Sequence, residues 1–132
     1  MVEPNVTVIG RACLAQLRAL AAGSPDREIC GLLFGSDGGI DSAMPSLNVS
    51  ERPGDEFEID PVTLIAAYKA ERAGGPRVIG CYHTHPSGSA FPSERDAAAA
   101  EPGRLWLILG GGDARLWRAR PGGFDEEALN TE

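Results

Sequence analysis

An α/β domain, with a mixed, mainly antiparallel sheet and flanking helices, is the fold class that this sequence predicts, and three observations carry it. Apolar segments of strand length alternate along the chain with segments of helical period. The breaks between them are short Gly and Pro turns of the kind that join antiparallel neighbours, such as Ser36-Asp37-Gly38-Gly39 and Gly110-Gly111-Gly112-Asp113. The chain has 132 residues with neither an internal repeat nor a linker, which suits one domain over 1–132. Its core is large enough to need no disulfide or structural metal.

Taken in order, Val6-Thr7-Val8-Ile9 reads as a short strand, and Gly10 hands over to a helix from Arg11 to Ala22, where Leu14, Leu17, Leu20 and Ala21 recur at helical spacing. Gly23-Ser24-Pro25-Asp26 ends that helix. Glu28 to Phe34 reads as a largely buried strand, and a second strand from about Ile40 to Asn48 completes a hairpin with it. Ser50 to Asp55 is a loop, and Phe57-Glu58-Ile59 alternates as a brief strand. Asp60-Pro61 is a helix entry, Asp at the N-cap and Pro in the first turn, and the helix runs to about Ala73 before Gly74-Gly75-Pro76 stops it. In it Val62, Ile65, Ala66 and Lys69 share one face, with Leu64 and Tyr68 beside it. Arg77 to His83 is the next strand. Ser93 to Glu101 reads as a short Ala-rich helix, and Leu105 to Leu109 as a central strand, followed by Ala114 to Arg120. The acidic remainder, Pro121 to Glu132, reads as an edge segment with a frayed tail over 125–132.

Composition excludes several function classes. A net charge of −7 with no basic cluster opposes nucleic-acid binding. No apolar run approaches the roughly 20 residues that span a bilayer, so no membrane role is expected. The N-terminus lacks a secretory pattern, and Cys13, Cys30 and Cys81 are an odd number with no C-x-x-C pair, which fits a reducing compartment and a cytoplasmic location. The Gly-rich turns lack any phosphate-binding context. Oligomeric state is not legible.

Both histidines of the chain fall in Cys81-Tyr82-His83-Thr84-His85-Pro86. Side chains alternate along extended backbone, so His83 and His85 face one way and Thr84 the other. Two imidazoles on one face can share an ion, and Pro86 turns the chain into a loop where a site at a strand end needs one. Downstream, Ser93 and Asp96 form S-x-x-D before an alanine run, a capping box in which Asp96 sits in the first helical turn and stays ionised, as a metal ligand must. His83, His85 and Asp96 are thus three ligands of the number and type that a catalytic zinc uses, with one position left for water. Such a hydrolase also needs a base that does not bind the metal. Glu28, heading a buried strand, is the best-placed candidate, with Glu94 and Asp26 as competitors that spacing leaves open. Cys30 and Cys81 lie at alternate positions from Glu28 and His83 and could reach the same face, although both sit in apolar runs that favour inert buried thiols.

Assembled, these residues resemble the JAMM motif of the JAB1/MPN/Mov34 metalloprotease family: Glu28 within E-I-C-G-L-L-F-G, then His83-Thr84-His85-Pro86, seven residues counted through Ser93, and S-x-x-D ending at Asp96. The likeness covers 28–100 and fits the small prokaryotic type. It implies an MPN/JAB, cytidine-deaminase-like fold, with Zn2+ held by His83, His85, Asp96 and water, Glu28 as general base and Ser93 stabilising the oxyanion. It also implies hydrolysis of an amide after the C-terminal Gly-Gly of a ubiquitin-like or sulfur-carrier protein. The family includes non-catalytic MPN scaffolds that bind protein partners; those have lost these residues, and this chain keeps all five. The related RadC-like branch has Asn where Thr84 stands here. Between Asn48 and Val78 there is little room for the insertions that give linkage selectivity.

Overall fold

Leu105 to Leu109 is apolar at every position because that strand is covered on both faces. The computed structural model describes residues 6–86 and 88–132. Among them the elements run β1 (Val6–Ile9), α1 (Arg11–Ala22), β2 (Cys30–Ser36), β3 (Gly39–Ser46), α2 (Pro61–Arg72), β4 (Val78–Thr84), α3 (Glu94–Ala99), β5 (Leu105–Gly110), β6 (Asp113–Arg120) and β7 (Gly123–Thr131). Strand order is β1-β3-β2-β4-β5-β6-β7, and β7 returns to β1, so the sheet closes on itself. The ladders β2–β3, β2–β4, β5–β6 and β6–β7 are antiparallel, whereas β1–β3, β1–β7 and β4–β5 are parallel. This is the mixed, mainly antiparallel sheet that the sequence predicts.

The two faces of β5 go to different cores. Leu105, Leu107 and Leu109 join Ile9, Leu33, Ile40, Tyr82 and Leu116 under the Cys13-Leu14-Leu17 face of α1. Trp106 and Ile108 pack with Ala90 and Trp117 on the opposite side. There β2 contributes Leu32 and Phe34, which meet Val78 and Ala67 of α2. Gly31 has to be glycine: a Cβ there would run into the Met44 carbonyl and the Tyr82 ring. The β5–β6 hairpin turns on Gly111 (φ 59°) and Gly112 (φ 83°), the left-handed pair that matches strand twist.

Helix α2 begins as expected, with Asp60 Oδ1 accepting from Val62 N at 3.0 Å and Pro61 in the first turn. It packs through Leu64, Ala67 and Tyr68, leaving Val62 and Ile65 exposed. Phe57 to Ile59 is not a strand; only an isolated bridge joins Asn48 to Ile59. The reason is Asn48, whose side chain takes the backbone groups of Glu56 and Glu58 that a ladder would have paired.

The expected fraying of 125–132 is corrected outright. Those residues belong to β7, which pairs with both β6 and β1 and closes the sheet. The acidity that suggested a solvated tail is matched across the ladder by arginines: Asp125 accepts from Arg120 at 3.0 Å and Glu126 from Arg115 at 2.8 Å. Buried Glu127 takes Arg118 and the Thr7 hydroxyl, the latter at 3.0 Å. No helix among the described residues is long and apolar enough to cross a membrane.

Candidate metal centre

The site forms where β4 runs out. His83 lies opposite Cys30 of β2 and beside Ile108 of β5, at the buried end of the strand. His85 sits just beyond it, yet its N–H still donates to Leu109 O at 2.8 Å, so the second imidazole keeps strand-like placement. Thr84 faces the other way, as alternation requires, and is buried. Its hydroxyl accepts from Ile29 N at 3.0 Å while its N–H donates to Ile29 O at 3.1 Å, which ties the segment carrying Glu28 to the histidine strand.

Helix α3 brings the carboxylate. Ser93 caps it by accepting from Asp96 N at 3.1 Å, and Asp96 Oδ2 accepts from Ser93 N at 2.9 Å, which completes the capping box read from S-x-x-D. The same Oδ2 lies 3.3 Å from His83 Nε2 and 3.2 Å from His85 Nε2, and the two Nε2 atoms are 2.9 Å apart. Tetrahedral coordination at about 2.0–2.1 Å puts ligand atoms about 3.3 Å from one another. The three atoms therefore fit a shared metal ion. Glu28 forms a second grouping with the same two imidazoles: it lies ahead of β2 in the loop, its carboxylate within 4.8 Å of ligand atoms on both histidines.

Glu28 is 5% exposed and its Oε1 has no hydrogen-bond partner among the described residues. Burial pushes its carboxyl up to about 7, opposed by the charge of His85 and reinforced by that of Asp96. The competing bases, Asp26 and Glu94, are both exposed. The histidines diverge. Burial lowers the pKa of His83, despite its contact with Asp96. For His85 burial acts the same way but is outweighed by hydrogen bonds with Asp96 and the Ser89 carbonyl, so its pKa rises. Asp96, which burial alone would raise, is held well below the usual carboxylate range by the two imidazoles and the Ser93 amide.

Among the described residues neither thiol belongs to the cluster of candidate ligand atoms. Burial, then the charge of Glu28, pushes Cys30 up to about 12, and burial raises Cys81 as well. Cys30 Sγ points to Leu47 O at 3.8 Å, and Cys81 packs into the cluster around Trp106. Ser93 is exposed, and because its hydroxyl accepts from Asp96 N, its own proton is left to donate outward.

Two residues at the site escape a reading of the sequence, Asn48 and Phe57, whereas alternation gives the side on which Thr84 lies but not its bond to Ile29 N. Asn48 Nδ2 donates to Glu28 O at 2.9 Å, and the Phe57 ring stacks on His83 with centroids 4.3 Å apart. An Asn closing a strand before a Pro/Gly loop was the available hint for Asn48; nothing local marks Phe57.

Residues 10–120 match the family described as prokaryotic homologs of the JAB domain. Among relatives, a desampylase of Haloferax volcanii is 35% identical over 98 residues, covering 72% of this chain and 70% of the relative. A probable TtuB-protein conjugate cleaving protease of Thermus thermophilus is 31% identical over 105 residues, covering 80% and 70%. The fold is shared with a protein from Desulfitobacterium hafniense, TM-score 0.82 at 26% identity, covering 96% of this chain and 92% of that one. It is shared also with a protein described as carrying JAMM, a metalloprotease-like zinc site in the proteasome and signalosome, TM-score 0.60 at 22% identity, covering 96% and 98%. Glu28, His83, His85, Ser93 and Asp96 all lie inside the matched span, and the chain belongs to the prokaryotic JAB-domain branch of the JAMM/MPN family.

Proposed function

We propose that this chain is a cytoplasmic zinc isopeptidase that hydrolyses the amide bond following the C-terminal glycines of a ubiquitin-like or sulfur-carrier protein. The observation that carries the reading is a buried carboxylate, Glu28, whose Oε1 has no hydrogen-bond partner among the described residues, set beside two imidazoles that share a third candidate ligand, Asp96. A buried ionisable group without a partner is costly to a fold that does not use it. The substrate class rests on the activities named for the Haloferax and Thermus relatives.

His83 Nε2, His85 Nε2 and Asp96 Oδ2 would hold the zinc, which when bound supplies Lewis acidity towards the scissile carbonyl and acidifies the attacking water. Glu28, buried beside both imidazoles, is placed to act as the general base: it takes the water proton and hands it to the departing amine. Ser93, free to donate from its hydroxyl, stabilises the charge that develops on the carbonyl oxygen. Asp96 stays ionised throughout, because its helix N-terminus and both imidazoles favour the anion.

The test is a zinc-loaded protein incubated with a Gly-Gly-tailed carrier joined through its C-terminus to a lysine side chain. Cleavage should stop with a chelator. Glu28→Gln should lower turnover by about 10²–10⁴ while retaining zinc. Undiminished turnover in Glu28→Gln would move the base elsewhere, and a zinc-bound wild type that cleaves no glycine-tailed conjugate would leave a protein-binding scaffold.

A further inference from the structure

The segment from Asn48 to Glu58 carries no residue of the catalytic set, yet it touches Glu28, His83 and the helix that bears Asp96. Asn48 makes all four hydrogen bonds open to a side-chain amide. Its Nδ2 donates to Glu28 O at 2.9 Å and Glu56 O at 3.0 Å, and its Oδ1 accepts from Ser50 N at 3.1 Å and Glu58 N at 3.0 Å. Pro53 O accepts from Glu28 N at 2.6 Å, so both backbone polar groups of Glu28 are held by this one loop. The Glu56 carboxylate accepts from the Ser50 hydroxyl at 2.9 Å and pairs with Arg95 at 3.2 Å, on the helix that bears Asp96.

At its far end the loop lays Phe57 on His83. The rings are 4.3 Å apart between centroids and 20° from parallel, and Trp106 stands edge-on to both at 5.4 Å. A metal-binding imidazole usually donates its other ring N–H to an oxygen that fixes its orientation. His83 lacks this: Nδ1 is buried without a partner among the described residues. Something else must hold the plane of the ring.

We infer that Phe57 and Asn48 are positioning residues, in which Phe57 sets the plane of the His83 ring in place of a hydrogen bond to Nδ1, and Asn48 locks Phe57 and the Glu28 backbone into one frame. The stack fixes the plane but not which edge points inward; the contacts of Nε2 with Asp96 and His85 select the edge. Base and metal ligand are thereby aligned by a single loop rather than independently.

This inference rests on the proposed metal centre and is tested by zinc affinity, measured by chelator competition at neutral pH. Phe57→Leu should weaken zinc binding by about 10–100-fold. Phe57→Met, of similar bulk but without a ring, should weaken it comparably and decides the matter if the Leu variant does not fold. Phe57→Tyr should bind as wild type does. Asn48→Ala should also weaken binding, and the Asn48→Ala/Phe57→Met pair should bind no more weakly than the weaker single variant, because Asn48 acts through Phe57. Unchanged affinity in the Met variant, or equal loss with Met and Tyr, overturns the brace while leaving the metal centre intact. A wild type with no zinc affinity overturns the metal centre itself.

Discussion

His83 and His85 are two residues apart and converge on one point, but they are held in opposite ways. His83 is borne by a strand, wholly buried and boxed by Phe57 and Trp106, with Nδ1 unpartnered among the described residues. His85 is borne by the start of a loop and is partly exposed, with Nδ1 engaged by the Ser89 carbonyl at 2.8 Å. That loop is pinned in turn, since Trp117 Nε1 donates to Ala90 O at 3.0 Å and Phe91 lies between Trp117 and the Arg115 guanidinium. One imidazole is fixed by packing and the other by hydrogen bonding. Packing has a volume dependence and hydrogen bonding a donor–acceptor dependence, so the two sides respond to different substitutions.

The largest divergence is expected on truncating each imidazole in the metal-free protein. His83→Ala opens a void between Phe57 and Trp106 and should cost about 2–4 kcal/mol in denaturant unfolding, as large buried-to-small changes do. His85→Ala, at the open side, should cost about 0–1 kcal/mol. Both should abolish zinc binding. Equal stability losses would erase the distinction drawn here.

Protonation should separate them next. The pKa of His85 is raised on folding, so its contribution is fully present below about 6.5 and is lost as pH rises through the folded value. That of His83 is lowered, so its imidazole opposes folding as pH falls below about 6.5, where the unfolded chain takes up a proton that the folded chain refuses. In metal-free melts His85→Gln should therefore cost more at acid than at alkaline pH, and His83→Gln less at acid than at alkaline pH. Parallel curves for the two variants would contradict the assignment.

Glu28 adds a third slope to the same melts. Its carboxyl is raised from about 4.5 to about 7, so the folded form holds the proton longer and stability declines as pH rises between those values. Glu28→Gln should flatten that decline. The hydrogen-bonded side has a modest test of its own: Trp117→Phe removes the donor to Ala90 O and should cost about 1 kcal/mol while leaving His83 unaffected. A loss of zinc affinity in Trp117→Phe would show how far the loop's hydrogen bonds reach His85.

What was legible in the sequence was local. Alternation placed His83 and His85 on one side and Thr84 on the other; S-x-x-D announced the box that orients Asp96; Asp60-Pro61 announced the start of α2. What escaped was set by groups far apart in the chain. Phe57 meets His83, and Asn48 meets Glu28, only after the sheet has formed. The acidic end looked solvated because its arginine partners lie on β6 and its second ladder partner is the first strand of the chain.

The sequence by itself singled out His83, His85 and Asp96 as one candidate ligand set and Ser93 as a cap, with Glu28, Glu94 and Asp26 left as candidate bases, because side-chain chemistry and short-range periodicity depend on neighbours a few positions away. Only the tertiary structure decided that Glu28 is buried beside them, which fold face carries Phe57, and that β7 closes the sheet. Those outcomes depend on desolvation, stacking and ladder pairing, none of which exists until distant segments meet.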